Sequence, residues 1–158
     1  MPGSDRAIEG SLNRIPASLS NTPSTPLWVR AVVVLGAVLM ATGAVLALVR
    51  PQMLVSPHDE INGAVRIYAG YLTSRNLTIA LMLLAALALR TRNMLNSLIL
   101  LTGFVQALDA VVDIAEGRWV IVPGVAVLAV LFFLAAARLS GYPFWRVEAW
   151  RLGDATAE

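Results

Sequence analysis

The sequence predicts an all-α integral membrane four-helix bundle, running up-down-up-down, with a disordered N-terminal arm and a short interfacial C-terminal segment. Three observations carry this expectation. The 158-residue chain is 58% hydrophobic and only 14% charged, with a mean hydropathy of +0.71. Soluble domains carry about 25% charged residues, so this chain lacks the polar surface to stay in water alone. Four apolar stretches are each long enough, at about 1.5 Å per helical residue, to approach or exceed a hydrocarbon core of about 30 Å. Short polar segments containing arginine separate them.

Composition also excludes several chemistries. The chain has no cysteine, which removes disulfides, thiolate nucleophiles, iron–sulfur clusters and cysteine zinc sites. Its single histidine, His58, cannot clamp a haem between two histidines of one chain. All basic residues are arginine and the pI is about 9.7. On so apolar a chain those charges set membrane orientation, and no nucleic-acid partner is expected. No cofactor and no metal are expected, and the lipid bilayer is the expected partner.

Residues 1–26 are rich in Pro, Ser, Thr and Asn and have no apolar period, which reads as a disordered cytoplasmic arm. The first span covers about residues 27–49, with Arg30 its only charge. It is longer than the apolar core of a signal peptide, about 7–15 residues, and is expected to be retained. Gly36 and Gly43 lie on one face with Ala47 near the same line, where another helix can approach closely. Arg50-Pro51 ends this helix. In the connector, His58-Asp59-Glu60 are ligand-type residues, but three neighbours in a loop lack metal-ligand spacing. An N-cap by Ser56 or Asp59 explains the segment more simply.

The second span is placed at about residues 67–89, with a polar outer half, and a turn follows at Arg90–Asn93. The third span is placed at about 94–115, followed by a turn at Glu116-Gly117-Arg118, and the fourth at about 119–137 with Pro123-Gly124 near its start. The transmembrane domain is thus residues 27–138. In the tail, 139–158, Tyr142, Phe144, Trp145 and Trp150 alternate with Arg146 and Arg151, as in an interfacial segment with a frayed end. With a cytoplasmic N-terminus, Arg14, Arg30, Arg90, Arg92, Arg138, Arg146 and Arg151 lie inside, against Arg50, Arg66 and Arg118 outside. The positive-inside rule then places a multi-pass protein in the cell (inner) membrane with both termini cytoplasmic.

The chemically informative feature is a pair of polar stripes. Thr102, Gln106, Asp109, Asp113 and Glu116 recur every three or four residues, so they share one face of the third span. Tyr68, Tyr71, Arg75, Thr78 and Met82 do the same on the second. Antiparallel folding about the Arg90–Asn93 turn pairs Arg75 with Asp109, Thr78 with Gln106, Tyr71 with Asp113, Tyr68 with Glu116 and Met82 with Thr102. A lone arginine or aspartate deep in a span costs about 2.5–3.5 kcal/mol on insertion scales, which favours the two meeting in a dry interior. A two-pronged Arg75–Asp109 bond is therefore expected at the centre of a network. Tyr71 and Gln106 would satisfy its remaining groups, and Asp113, Glu116, Arg66 and Tyr68 would continue it toward external water. Such a pair can serve only to fix helix register. Equally, the stripe can line a small cavity for a polar headgroup, a quinone-like ring or a proton.

The run GAVRIYAGYLTSRNLTIALMLLAAL, the basic turn, and LILLTGFVQALDAVVDIAEG resemble the small bacterial four-helix membrane proteins grouped as DoxX-like. The resemblance covers about residues 61–117. It implies a four-helix fold, with Arg75 matching the second-helix arginine and Asp109 the third-helix aspartate. Asn76 stands where relatives often place an acid. The resemblance implies accessory roles beside redox or respiratory enzymes and carries over no catalytic residue.

The functional expectation is a small accessory or scaffold protein of the membrane, associated with a larger complex or with copies of itself. The alternative is a membrane-embedded enzyme or binding protein for a small lipid-soluble ligand, using Asp113 and Tyr71 beside Arg75. Pairing to Arg75 holds Asp109 ionised, which makes Asp113 the better acid for that alternative. A transporter fits less well, because the inner halves of the second and third spans are largely Leu, Ala, Met and Ile.

Overall fold

The computed structural model describes residues 25–54 and 61–147. Within them the chain is all-helical, and four helices are long and apolar enough to cross a membrane: α1 (Leu27–Val49), α2 (Gly63–Ala88), α3 (Arg92–Ala115) and α4 (Val122–Ser140). The proposed N-terminal arm up to residue 24, the His58-Asp59-Glu60 triplet and the tail beyond residue 147 lie outside the described residues.

Local chemistry sets the boundaries. Arg50 closes α1 by donating its N–H to the Leu46 carbonyl, and Pro51 opens a 3-10 turn, Pro51–Leu54. α2 begins four residues earlier than the hydropathy suggested, because Asn62 is its N-cap. The Asn62 side chain accepts from the Val65 N–H at 3.1 Å, relieving one of the orphan donors of the first turn. α4 begins three residues later than expected, after a turn through Trp119 and Val120, where Pro123 fits the first turn without losing a helical bond.

Two helix ends share one geometry. At the end of α2 the Thr91 N–H reaches the Ala86 carbonyl and the Arg90 N–H the Leu87 carbonyl, with Arg90 at φ 55°. At the end of α3 Arg118 and Gly117 make the same bonds to Asp113 and Ile114, with Gly117 at φ 71°. Both are Schellman motifs, which place a left-handed residue just past the helix. Glycine adopts that conformation freely, whereas Arg90 adopts it against the steric preference of an L-residue.

Packing is most extensive between α1 and α2 and between α3 and α4. α2 meets α3, and α1 meets α4, along narrower seams. Small side chains bring α1 and α2 together, with Ala37, Ala44 and Ala47 buried on one and Ala69 and Ala80 on the other. Thr73 adds an interhelical bond to the Ala44 carbonyl at 3.0 Å. The apolar core lies toward one end of the bundle and gathers Val29 and Val33, Leu83 and Ala86, Leu95 and Ile99, Phe132 and Leu139. Gly36 permits the close approach there, since a Cβ on it would clash with Cζ of the fully buried Phe132. Beyond α4, Phe144 turns back to stack on Phe133 at 4.6 Å and to meet Phe104 edge-on. Trp145, by contrast, stays exposed.

Candidate functional site

Toward the end of the bundle away from that core, the helices border a half-open cavity of about 540 Å³. This lies within the 300–1,000 Å³ typical of small-molecule sites. α1 contributes an apolar wall of Leu39, Met40, Gly43, Leu46 and Ala47, and α4 contributes Gly124, Val125 and Leu128. The opposite wall is polar: Tyr68 and Asn76 from α2, Gln106, Asp109 and Asp113 from α3, and Arg118 from the turn after it. Gly43 has nothing within 4 Å of where a Cβ would stand, so the space lies directly over it.

The α3 stripe explains the polar wall. Residues 106, 109 and 113 recur at helical spacing, and Gln106 and Asp113 are each 9% exposed. Thr102, one turn further, is also buried, and its hydroxyl donates back to the Leu98 carbonyl at 2.7 Å. Arg75 reaches Asp109 across the α2–α3 seam. A single nitrogen, Nη2, donates to both carboxylate oxygens at 3.1 and 2.9 Å, while Nε donates to Asn76 Oδ1 at 3.3 Å. The contact is therefore one nitrogen to two oxygens, in place of the two-pronged bond expected. Nor is the pair enclosed by protein: the side chains are 40% and 33% exposed, and Asp109 lines the cavity while Arg75 does not. Because α2 starts at Gly63, Arg75 lies about 18 Å along the helix, close to its midpoint and deeper than the sequence suggested.

The α2 stripe behaves differently from expectation. Tyr68, Tyr71, Thr78 and Met82 are all exposed, so Thr78 does not meet Gln106 and Met82 does not meet Thr102. The reason is packing: α2 turns the face of Ala69, Thr73 and Ala80 to α1, which leaves this stripe to the side, where Arg75 bonds across to α3. Tyr71 is 72% exposed and lies off the cavity, so it does not pair with Asp113. Tyr68 borders the cavity while 56% exposed. Glu116 and Arg66 are exposed and line none of it.

The partner of Asp113 is Arg118, whose Nη1 lies 3.4 Å from Oδ1. Its Nη2 also reaches the Met53 carbonyl at 3.4 Å, linking the end of α3 to the turn after α1 at the edge of the cavity. Sequence reasoning missed this residue by treating it only as a loop charge. The signal was present, since a Schellman turn lays the second residue past the helix back over the residue five before it. With Gly117 as the left-handed residue, those two positions are Arg118 and Asp113.

Among the described residues no group of three His, Cys, Asp or Glu side chains is arranged to hold a metal ion. The polar wall is suited to hydrogen bonding: two amides, a phenol and two pre-paired carboxylates face an apolar wall. Comparison with protein-family models, with curated proteins and with solved structures gives no match for this chain.

Proposed function

We propose that this chain is a multi-pass inner-membrane protein that binds a small amphiphilic molecule between its helices. The proposed topology is up-down-up-down with both termini cytoplasmic. The cavity is the observation that carries the reading. The space of about 540 Å³ is only half enclosed, so the surrounding phase reaches it, and its lining decides which molecule it holds best. A wall of hydrogen-bonding groups opposite a wall of Leu, Met, Gly and Ala suits a molecule with a polar head and an apolar body.

A purely register-fixing role for Arg75 and Asp109 leaves this space without a purpose, and an accessory role alone does not require it. Accessory function beside a larger complex, as the DoxX-like resemblance implies, is compatible with ligand binding but draws no support from the cavity. The arginines at Arg30, Arg90, Arg92, Arg138 and Arg146 support the cytoplasmic assignment of one end.

The test is extraction in mild detergent followed by native mass spectrometry of the wild-type protein and a Gly43→Trp variant. A wild-type species carrying a stoichiometric small molecule, absent from the variant, is expected. Identical spectra for the two proteins would reject the reading. Reporter fusions at the turn after α2 and at the turn after α3 test the topology, with the first reading cytoplasmic and the second external.

A further inference from the structure

We infer that the cavity selects an uncharged head group, a hydroxyl or carbonyl of a neutral amphiphile, and that Gln106 is the residue that reads it. The inference rests on the binding role proposed above and specifies its ligand.

Two observations carry it. The first is charge balance. The polar wall contains Asp109 and Asp113, and each already faces an arginine, Arg75 at 2.9 Å and Arg118 at 3.4 Å. The formal charges of these four groups cancel. A charged head group entering beside them finds no spare counter-ion and must either break a pair or sit unpaired in a poorly solvated space, both of which are costly. A neutral head group enters with the pairs intact.

The second observation is Gln106 itself. Its side chain is nine-tenths buried and lines the cavity, yet no protein hydrogen bond to its amide is present among the described residues. Its amide atoms are not sealed within the protein but open on the cavity, so their partner is supplied by whatever occupies that space. The amide offers both an acceptor oxygen and two donor hydrogens, which matches a hydroxyl or a carbonyl. Asn76, on the facing helix, also lines the cavity; its oxygen accepts from Arg75 Nε, which leaves its NH2 group as a second donor. The apolar walls of α1 and α4 then take the hydrocarbon body of the same molecule.

The experiment uses the full chain in phosphatidylcholine nanodiscs and three probes of equal chain length: monodecanoylglycerol, decyl phosphate and decylamine. Binding is scored as the retention that Gly43→Trp abolishes, which removes simple partition into lipid. Monodecanoylglycerol is expected to bind in this sense, and the two charged probes are not. Gln106→Leu and the near-isosteric Gln106→Met should each weaken the neutral probe about tenfold, equivalent to about 1.4 kcal/mol. Because the amide has no protein partner to lose, both variants should keep or raise the Tm without probe. A charged probe that binds as tightly as the neutral one overturns the inference and leaves the binding role intact. So does an unchanged affinity of the neutral probe in both variants, or a fall in their unliganded Tm, which would make Gln106 a structural residue. If no probe and no co-purified molecule shows retention sensitive to Gly43→Trp, the binding role itself is overturned.

Discussion

Replacing Asp109 by leucine strands Arg75 near the middle of α2, about 18 Å from its start, with only the Asn76 oxygen left as a partner. An unpaired arginine at a helix centre costs about 2.5–3.5 kcal/mol on insertion scales, and breaking a fully buried pair costs about 3–5 kcal/mol. Here the two side chains keep 40% and 33% of their exposure and Asp109 borders the cavity, so the charges are less desolvated than in a fully buried pair. The expected loss for Asp109→Leu is therefore about 2 kcal/mol. Arg75→Leu should cost less, because Asp109 borders the cavity. The double variant should return close to wild type, since an apolar pair on a lipid-facing seam carries no desolvation penalty. The coupling energy, the sum of the two single losses, is thus expected above about 2 kcal/mol, measured as a double-mutant cycle from unfolding in mixed micelles. Single losses that simply add, within about 0.5 kcal/mol, would refute the view that the ion pair couples the two helices.

Other substitutions isolate single contacts. Gly36→Ala should destabilise by about 1–3 kcal/mol through its clash with Phe132, and Phe132→Leu in the same chain should recover part of that loss in thermal unfolding. Gly43→Ala, on the same helix face but over open space, should instead stabilise by up to about 1 kcal/mol from helix propensity alone. Arg90→Gly removes the strain of a left-handed L-residue and should raise stability by about 1 kcal/mol, read as an increase in Tm.

The four helices were legible because long apolar runs bounded by polar turns leave few alternatives. Their ends were less legible, since they depend on single residues such as Asn62 and Pro123, which hydropathy averages away. The α3 polar face was readable from its spacing, and so was the Arg75–Asp109 contact. What misled was the assumption that both polar stripes face inward. In lipid a leucine gains nothing by facing another helix, so hydrophobicity does not distinguish the packing face from the lipid face. Small residues do, and Ala69 and Ala80, on the face from which Thr73 bonds to α1, mark the side of α2 that turns toward it. Read that way, the exposure of Tyr71 and Thr78 follows from the sequence. The cavity was not legible, because it depends on what is missing opposite Gly43.

That missing group can be identified. Gly36 receives Phe132, and in the proposed up-down arrangement a step of two turns toward the end of α1 is matched by two turns back along α4. This sets Gly43 opposite Val125, and both residues do line the cavity. Phenylalanine at 132 fills the space over one glycine; valine at 125 leaves it open over the other. Val125→Phe should therefore repeat at the second level what Phe132 does at the first. The larger side chain fills part of the cavity and gains packing contacts worth about 1 kcal/mol, so the variant should unfold at a higher temperature than wild type. It should also lose the small molecule that wild type retains. A gain in stability together with loss of the ligand would indicate that the open space is kept at the expense of packing. A variant that still carries the ligand, or that is destabilised as Gly36→Ala is, would mean that residue 125 does not face Gly43 and that the cavity is bounded in some other way.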